Sequence, residues 1–346
     1  MTEQEFNELT KQWLNKEQVK EMSKFAKENG KTIYSISRLS TYTNCKMDYY
    51  QTYVLGNYGG ENIYSKNGGD IHEHLEKIYK GEETVEQMQK EYPKQMALNK
   101  LFYPFPNDSI GNSWESDMLD FVKNFKKKDY YKTYQERGFV INLGDDTKPF
   151  LLQGWIDLTI ENEDGGFDIV DYKTSSMYTG ESIREHAMQL LLYAFALKTI
   201  EGKYPNSVSW FFLKYWSVTD KNGRKKEQVP INRGRYVKEL SSKIQTHLKK
   251  LCVDDSMLLN MSIRNNTLEL LPQEIQDRFI LEDCFVSYPI TYETINDMYD
   301  YITDTIVEIE ARDKSNSRLW LPDKKSKDFF CNNLCSNCDR CSLGAR

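Results

Sequence analysis

Two aspartates and a lysine in the middle of the chain have the residue types and spacing of a hydrolytic metal site. Asp157 ends the run Gly154-Trp155-Ile156-Asp157, and Asp171 and Lys173 stand two residues apart in Asp171-Tyr172-Lys173. Mg2+ and Mn2+ prefer carboxylate ligands and retain bound waters. A neighbouring lysine can orient or deprotonate such a water and neutralise developing charge. The set is therefore suited to attack of water on a phosphodiester.

Hydrophobic alternation predicts that strands carry these residues. Apolar residues alternate over 139–143 and again over 152–160, and Asn162 to Gly166 has the composition of a turn into a strand over 167–174. Alternate side chains of a strand share a face, so Ile156 and Leu158 are predicted to face away from Asp157. Pairing through the turn would bring Asp157 beside Asp171 and Lys173.

A helix is predicted over 183–199, and it contains Gln189-Leu190-Leu191-Leu192-Tyr193. Taken in order, Asp157, Asp171-Tyr172-Lys173 and this helical segment resemble the PD-(D/E)XK nuclease superfamily, specifically its RecB/AddB-like branch. The resemblance covers about Ser35 to Lys214 and the C-terminal tail. It implies an α/β fold, with a restriction-endonuclease-like core of one mixed central sheet flanked by helices and with helical elaborations at both ends.

The resemblance also assigns roles at the site. It implies that Mg2+ or Mn2+ is held by His72, within Gly69-Asp70-Ile71-His72, and by Asp157, Asp171 and the Tyr172 carbonyl. Lys173 would be catalytic, and Gln189 and Tyr193 would support the site or contact DNA. Taken singly, each of these residues could equally lie on a solvated strand edge or on an ordinary helix face. Glu136, just before the first strand, is a candidate supporting acid.

A cysteine cluster lies at the C-terminus, in the pattern Cys331-x3-Cys335-x2-Cys338-x2-Cys341. Four thiolates can hold either Zn2+ or an iron-sulfur cluster, and the spacing alone does not choose. Nucleases similar to this chain often hold a 4Fe-4S cluster with one cysteine ahead of the nuclease motifs and three at the C-terminus, and Cys45 resembles the upstream one.

Five cysteines are thus candidates for four places. Either Cys45 joins three of the tail cysteines, or all four tail cysteines hold zinc and Cys45 is merely buried. Cys252 and Cys284 have no neighbouring cysteine in the sequence, and we expect them to be small core residues.

Composition narrows the class of protein. Lysine and arginine total 46 against 52 aspartates and glutamates, for a net charge of −6, which argues against non-specific coating of DNA. The apolar runs are too short for a membrane span and the N-terminal residues are too polar for a signal peptide, so we expect a cytoplasmic protein without membrane contact.

Three basic runs are candidate phosphate contacts for DNA. They are Lys123 with Lys126, Lys127 and Lys128; the tip from Lys221 to Lys226, with Arg224 and Lys225; and Lys324, Lys325 and Lys327 beside the cysteines. No Gly-x4-Gly-Lys-Ser/Thr phosphate loop is present, so any ATP-driven unwinding would come from a separate helicase or recombination protein.

These observations predict a metal-dependent deoxyribonuclease, an exonuclease acting in DNA recombination, repair or processing. One alternative is a non-catalytic module that uses the same fold to bind DNA or protein. A second is a zinc-stabilised DNA-interaction protein whose tail is the functional element.

We expect one elaborated domain over 1–346. Its parts are a mainly helical segment 1–135, a catalytic core 136–233, a helical segment 234–320 and a cysteine-rich tail 321–346. Residues 3–29 have helical spacing, Ser37 is the predicted cap of the next helix, and Gly68-Gly69 is predicted to break the chain before the helix of His72. The pattern over 255–290 yields no prediction.

Overall fold

A computed structural model describes residues 1–144, 149–222, 228–252, 256–321, 328–335 and 337–341. The helices are α1 Glu3–Leu9, α2 Lys16–Glu28, α3 Ile36–Asn44, α4 Lys46–Tyr49, α5 Ile63–Lys80, α6 Val85–Phe102, α7 Asp108–Asn124, α8 Glu181–Glu201, α9 Tyr236–Lys250, α10 Ser256–Asn265, α11 Gln273–Gln276, α12 Tyr292–Ala311 and α13 Asp328–Asn333. The strands are β1 Ile33–Tyr34, β2 Lys132–Asn142, β3 Leu151–Glu161, β4 Phe167–Lys173, β5 Ser207–Asp220, β6 Gln228–Asn232 and β7 Phe279–Tyr288. A π-helix, Tyr50–Val54, follows α4.

The strands form one mixed sheet. β2, β3 and β4 pair antiparallel in succession, β4 and β5 pair parallel, and β5 also pairs antiparallel with β6 and β7. β1 adds a short parallel pairing to β3. The predicted antiparallel pairing of the two site strands is observed, with Leu158 opposite Val170. The α/β fold with a mixed sheet flanked by helices is confirmed.

Helices cover both faces of the sheet because both faces are apolar. One core cluster joins α8, α12 and α3 to residues of β3, β4 and β5, including Ile156, Ile169 and Trp210. A second cluster joins α5, α6 and α7 to the opposite face, where Leu158 and Val170 lie. The chain must cross from one end of the sheet to the other between parallel β4 and β5, and α8 makes that crossing. The site residues on β4 and α8 are therefore neighbours.

The N-terminal region differs from its prediction. Residues 3–29 form two helices, α1 and α2, each opened by a capping box, at Thr2 and at Asn15. Between them Trp13 donates to Glu201 at 2.6 Å, which fastens this segment to the end of α8. The apolar periodicity indicated which residues are buried, but it did not reveal the second capping residue, at which a separate helix begins.

Two further local predictions were wrong. Ser35, not Ser37, caps α3, because its hydroxyl accepts from the backbone N–H of Arg38. Gly68-Gly69 does not break the chain, since both glycines lie within α5. At Gly68 an added Cβ would lie 3.2 Å from the Thr174 hydroxyl, so the residue lets α5 approach the end of β4 closely.

The segment 255–290, whose sequence pattern yields no prediction, contains α10, α11 and β7 in its described part. Of the basic residues considered as phosphate contacts, Arg224, Lys225, Lys226, Lys324, Lys325 and Lys327 lie outside the described residues. None of the described helices combines the length and apolar character that crossing a bilayer requires.

An aromatic cluster holds the start of the C-terminal tail against the N-terminal helices. Trp320 is fully buried, and its ring lies 5.8 Å from that of Tyr49, 5.5 Å from Tyr50 and 6.1 Å from Tyr42. Its indole N–H donates to the Asp313 carbonyl at 3.1 Å. The segment that follows α12 is thereby packed into one core with α3 and α4.

We expect Trp320→Ala to lower the free energy of unfolding by about 3–5 kcal/mol, because the substitution removes a large buried ring and leaves a cavity. Chemical denaturation monitored by circular dichroism measures the change. Leu319→Ala is the control, since Leu319 is 44% exposed and its truncation should cost far less. Equal losses in the two variants would contradict a specific role for Trp320.

Candidate active site

The alternation of β3 is interrupted at Asp157. Ile156 packs with the α8 side of the core, whereas Leu158 packs with the α5–α7 side, so the prediction that these two residues share a face was wrong. Gln135 pairs with Leu158 and Arg137 with Ile156, but Glu136 and Asp157 between them are unpaired. Glu136 has a positive φ of 49°. At this interruption of the pairing between β2 and β3, the side chain of Asp157 points towards α5.

Asp157 is fixed by the backbone of β4 and by His72. Its Oδ2 accepts from the N–H of Tyr172 at 2.8 Å, and its Oδ1 lies 3.6 Å from Nδ1 of His72 on α5. Burial disfavours the carboxylate, yet His72, Lys173 and the Tyr172 N–H outweigh it and hold the pKa of Asp157 below its usual value. Burial also disfavours the imidazolium of His72, but Asp157 and Asp171 together outweigh it and raise the pKa of His72.

Asp171 and Lys173 form an ion pair at the end of β4. Lys173 Nζ lies 2.5 Å from Asp171 Oδ2, and the Asp171 side chain is only 3% exposed. Burial raises the pKa of Asp171 to about 6, with Lys173 opposing this and Asp157 adding to it. For Lys173, the attraction of Asp171 outweighs burial and raises the pKa.

α8 supports Lys173 through a relay of two hydrogen bonds. Lys173 Nζ donates to Gln189 Oε1 at 3.0 Å, and Gln189 Nε2 donates to the Tyr193 hydroxyl at 2.8 Å. Gly154 makes room for this arrangement, because an added Cβ would lie 2.6 Å from the Phe139 ring and 3.2 Å from the Tyr193 ring. The structure thus brings all the predicted catalytic side chains into one connected group.

Two further carboxylates approach this group. Burial, Asp157 and Glu76 together raise the pKa of Glu136 to about 7. Glu76 lies one turn after His72 on α5 and pairs with Lys80. The spacing of four residues puts His72 and Glu76 on one helix face, and that spacing was the signal available in the sequence.

The chemistry of the group fits a divalent cation, although no preformed cage is present. Among the described residues, no three His, Cys, Asp or Glu side chains are arranged to hold an ion as they stand. The Oδ2 of Asp171 is buried, and Lys173 Nζ lies 2.5 Å from it. Carboxylate oxygens are the ligands that Mg2+ and Mn2+ prefer, and a bound cation would offset the mutual repulsion of Asp157 and Asp171.

The tail cysteines approach Cys45 from the other end of the chain. Cys45 is buried between α3 and α4, and Asn337 in the tail donates to Asp48 at 2.8 Å and to Thr52 at 3.0 Å. Burial raises the pKa of Cys45, and the charge of Cys341 raises it further. Burial, Asp48, Cys45 and Cys331 raise the pKa of Cys335 to about 12. All these thiols are free of disulfides.

One further histidine and the two remaining cysteines have surroundings of their own. His74 is buried between Glu83, at 2.6 Å, and Gln95, at 2.9 Å. Cys284 is buried in the core beside α12, whereas Cys252 is exposed and so differs from its prediction as a core residue. Cys252 lies at the end of α9 with a positive φ of 55°, where the chain turns.

The sequence matches the PD-(D/E)XK nuclease superfamily over residues 33–272, which is more than half of the chain. The protein therefore belongs to the PD-(D/E)XK nuclease superfamily. A comparison with curated proteins finds no match. A solved structure titled "Crystal structure of SSO0001" is similar over 82% of this chain and 95% of that chain, at 11% identity and a TM-score of 0.30.

Proposed function

We propose that the protein is a metal-dependent deoxyribonuclease and that it acts as an exonuclease. The observation that supports this most directly is the connected group of Asp157, Asp171 and Lys173, with His72 beside Asp157. A carboxylate pair, a half-buried lysine and an imidazole at one point suit phosphodiester hydrolysis better than passive binding. A module that only bound DNA would gain nothing from burying these charges, which costs free energy.

His72, Asp157, Asp171 and the Tyr172 carbonyl would hold Mg2+ or Mn2+. When bound, such an ion activates water and stabilises charge on the scissile phosphate. The N–H of Tyr172 orients Asp157, and the Gln189–Tyr193 relay holds the ammonium of Lys173 close to Asp171. Lys173 would then orient the attacking water and stabilise the negative charge that develops on phosphorus oxygens.

The assignment to recombination, repair or processing of DNA rests on the similarity to the RecB/AddB-like branch. In such a role a separate helicase or recombination protein would supply unwinding. The described residues Lys123, Lys126, Lys127 and Lys128 are exposed, with Lys128 paired to Asp283 at 3.5 Å, and are available for phosphate contacts.

We propose further that Cys45 and three of the tail cysteines hold a 4Fe-4S cluster, with Zn2+ as the alternative. The contacts of Asn337 with Asp48 and Thr52 support this, because they bring the tail to the helix that Cys45 precedes. The cluster would join the two ends of the chain and so reduce the entropy of the unfolded state. Its role would be structural.

Purified under anaerobic conditions, the protein should degrade linear DNA in Mg2+ or Mn2+ and should lose that activity in EDTA. End-labelled linear and covalently closed circular DNA, single- and double-stranded, are incubated with the protein and the products are resolved on gels. Degradation confined to linear DNA would support an exonuclease, whereas cleavage of circular DNA would show that the protein is an endonuclease instead. Tight binding without cleavage in every divalent metal would favour the binding module instead.

A further inference from the structure

The loop between β4 and α8 carries a tyrosine whose position the sequence did not indicate. The ring of Tyr178 packs edge-on against Trp210 at 5.2 Å and against Phe212 at 5.3 Å, which anchors it to β5. Its hydroxyl lies 3.5 Å from Ser175 Oγ. Burial raises the pKa of Tyr178 while Lys173 opposes the shift, so its phenol lies within the electrostatic reach of the site.

His186 stacks on this tyrosine. The two rings are 3.7 Å apart and inclined by only 14°, so they lie face to face. Tyr178 is half-buried, whereas His186 remains exposed although one of its faces is covered. The pair therefore forms a two-ring stack with its inner ring fixed in the core and its outer ring directed towards solvent.

The position of His186 on α8 connects this stack to the reactive group. His186, Gln189 and Tyr193 are spaced by three and four residues and so share one face of the helix. Gln189 accepts from Lys173, and His186 lies one turn earlier, about 4.5 Å along the helix axis. A nucleotide whose phosphate lies at Lys173 has its neighbouring base within reach of the imidazole.

We propose that the Tyr178–His186 stack is a platform for an unpaired base next to the scissile phosphate, so that the site acts on single-stranded DNA or on frayed ends. In a duplex, pairing and stacking with neighbouring bases occupy the faces of each base, whereas an unpaired base can add itself to an aromatic stack. This inference rests on the proposed nuclease function for the position of the phosphate. The feature that carries it is the exposed outer ring of His186, three residues before Gln189, which accepts from Lys173.

The test uses short single-stranded oligonucleotides with 2-aminopurine at each position in turn, bound to protein carrying Asp171→Asn to prevent turnover. Stacking quenches 2-aminopurine fluorescence, so we expect quenching at one position. His186→Ala should abolish that quenching and weaken binding about tenfold, the loss expected for one stacked base. His186→Phe should retain both, and His186→Gln should not, because a hydrogen-bonding side chain without an aromatic face cannot replace the ring.

Abasic substrates provide the second measurement. An abasic nucleotide at the quenched position should weaken binding as much as His186→Ala does, and the variant should add no further loss on that substrate. His247→Ala, in α9, is the control and should behave as the parent protein. Quenching and affinity unchanged by His186→Ala would overturn the platform. Absence of cleavage by the wild type, with quenching that depends on His186, would overturn the nuclease proposal and leave the base platform intact.

Discussion

Asp171→Asn should reduce the rate of DNA cleavage about a thousandfold or more. The substitution keeps the size of the side chain but removes the negative charge that is proposed to bind the divalent ion. An ion at such a site contributes several kcal/mol to the stability of the transition state, and each 1.36 kcal/mol is a tenfold change in rate. Single-turnover cleavage of end-labelled linear DNA in saturating Mg2+ measures the effect.

The matched control is Asp168→Asn on the same strand. Asp168 accepts from Asn162 Nδ2 at 2.7 Å and from Ser207 Oγ at 2.5 Å, and it takes no part in the reactive group. Its substitution should leave the cleavage rate within a few-fold of the wild type. Circular dichroism and thermal melting should show that both variants are folded. Wild-type turnover by folded Asp171→Asn would refute the proposed catalytic role.

Cys45→Ser should release the metal centre and destabilise the whole chain. If Cys45 is a cluster ligand, its loss removes a covalent link between the N-terminal helices and the tail. Native crosslinks that close long loops are typically worth about 2–5 kcal/mol, and we expect a loss of unfolding free energy in this range. Iron, acid-labile sulfide and zinc are measured in the anaerobically purified protein, together with its denaturation midpoint.

Cys252→Ser is the control, because Cys252 is exposed and remote in sequence from the other cysteines. It should retain the metal content and stability of the wild type. Full metal content in Cys45→Ser would show that the tail cysteines form the centre alone, and zinc without iron in the wild type would replace the iron-sulfur assignment. The chain lacking any metal would reduce Cys45 to a buried core residue.

The sequence by itself determined the superfamily, the α/β class and the order of the reactive residues. The alternation of residues 152–160 and the turn before Phe167 predicted the hairpin that brings Asp157 near Asp171, and the pairing of Leu158 with Val170 is as that pattern requires. Such local patterns are readable because strand periodicity and turn composition reflect burial over a few neighbouring residues.

Only the tertiary structure decided the directions in which the side chains of those residues point. The pairing of β2 with β3 is interrupted at Glu136 and Asp157, and beyond this point the side chains of β3 face the opposite side of the sheet from the predicted one. A pattern with a period of two cannot reveal such a change, because it assumes a regular ladder. The sequence likewise did not show that α5 continues through Gly68. A glycine stands there because α5 lies so close to Thr174 that little room remains for a side chain.

The long-range contacts of the site were also beyond the sequence. The contact of His72 with Asp157, the stack of His186 on Tyr178 and the hydrogen bond from Asn337 to Asp48 join residues from separate elements. Each depends on how helices pack on the sheet. Residue type and spacing specify local geometry and the chemistry available, whereas packing of distant elements decides which side chains meet.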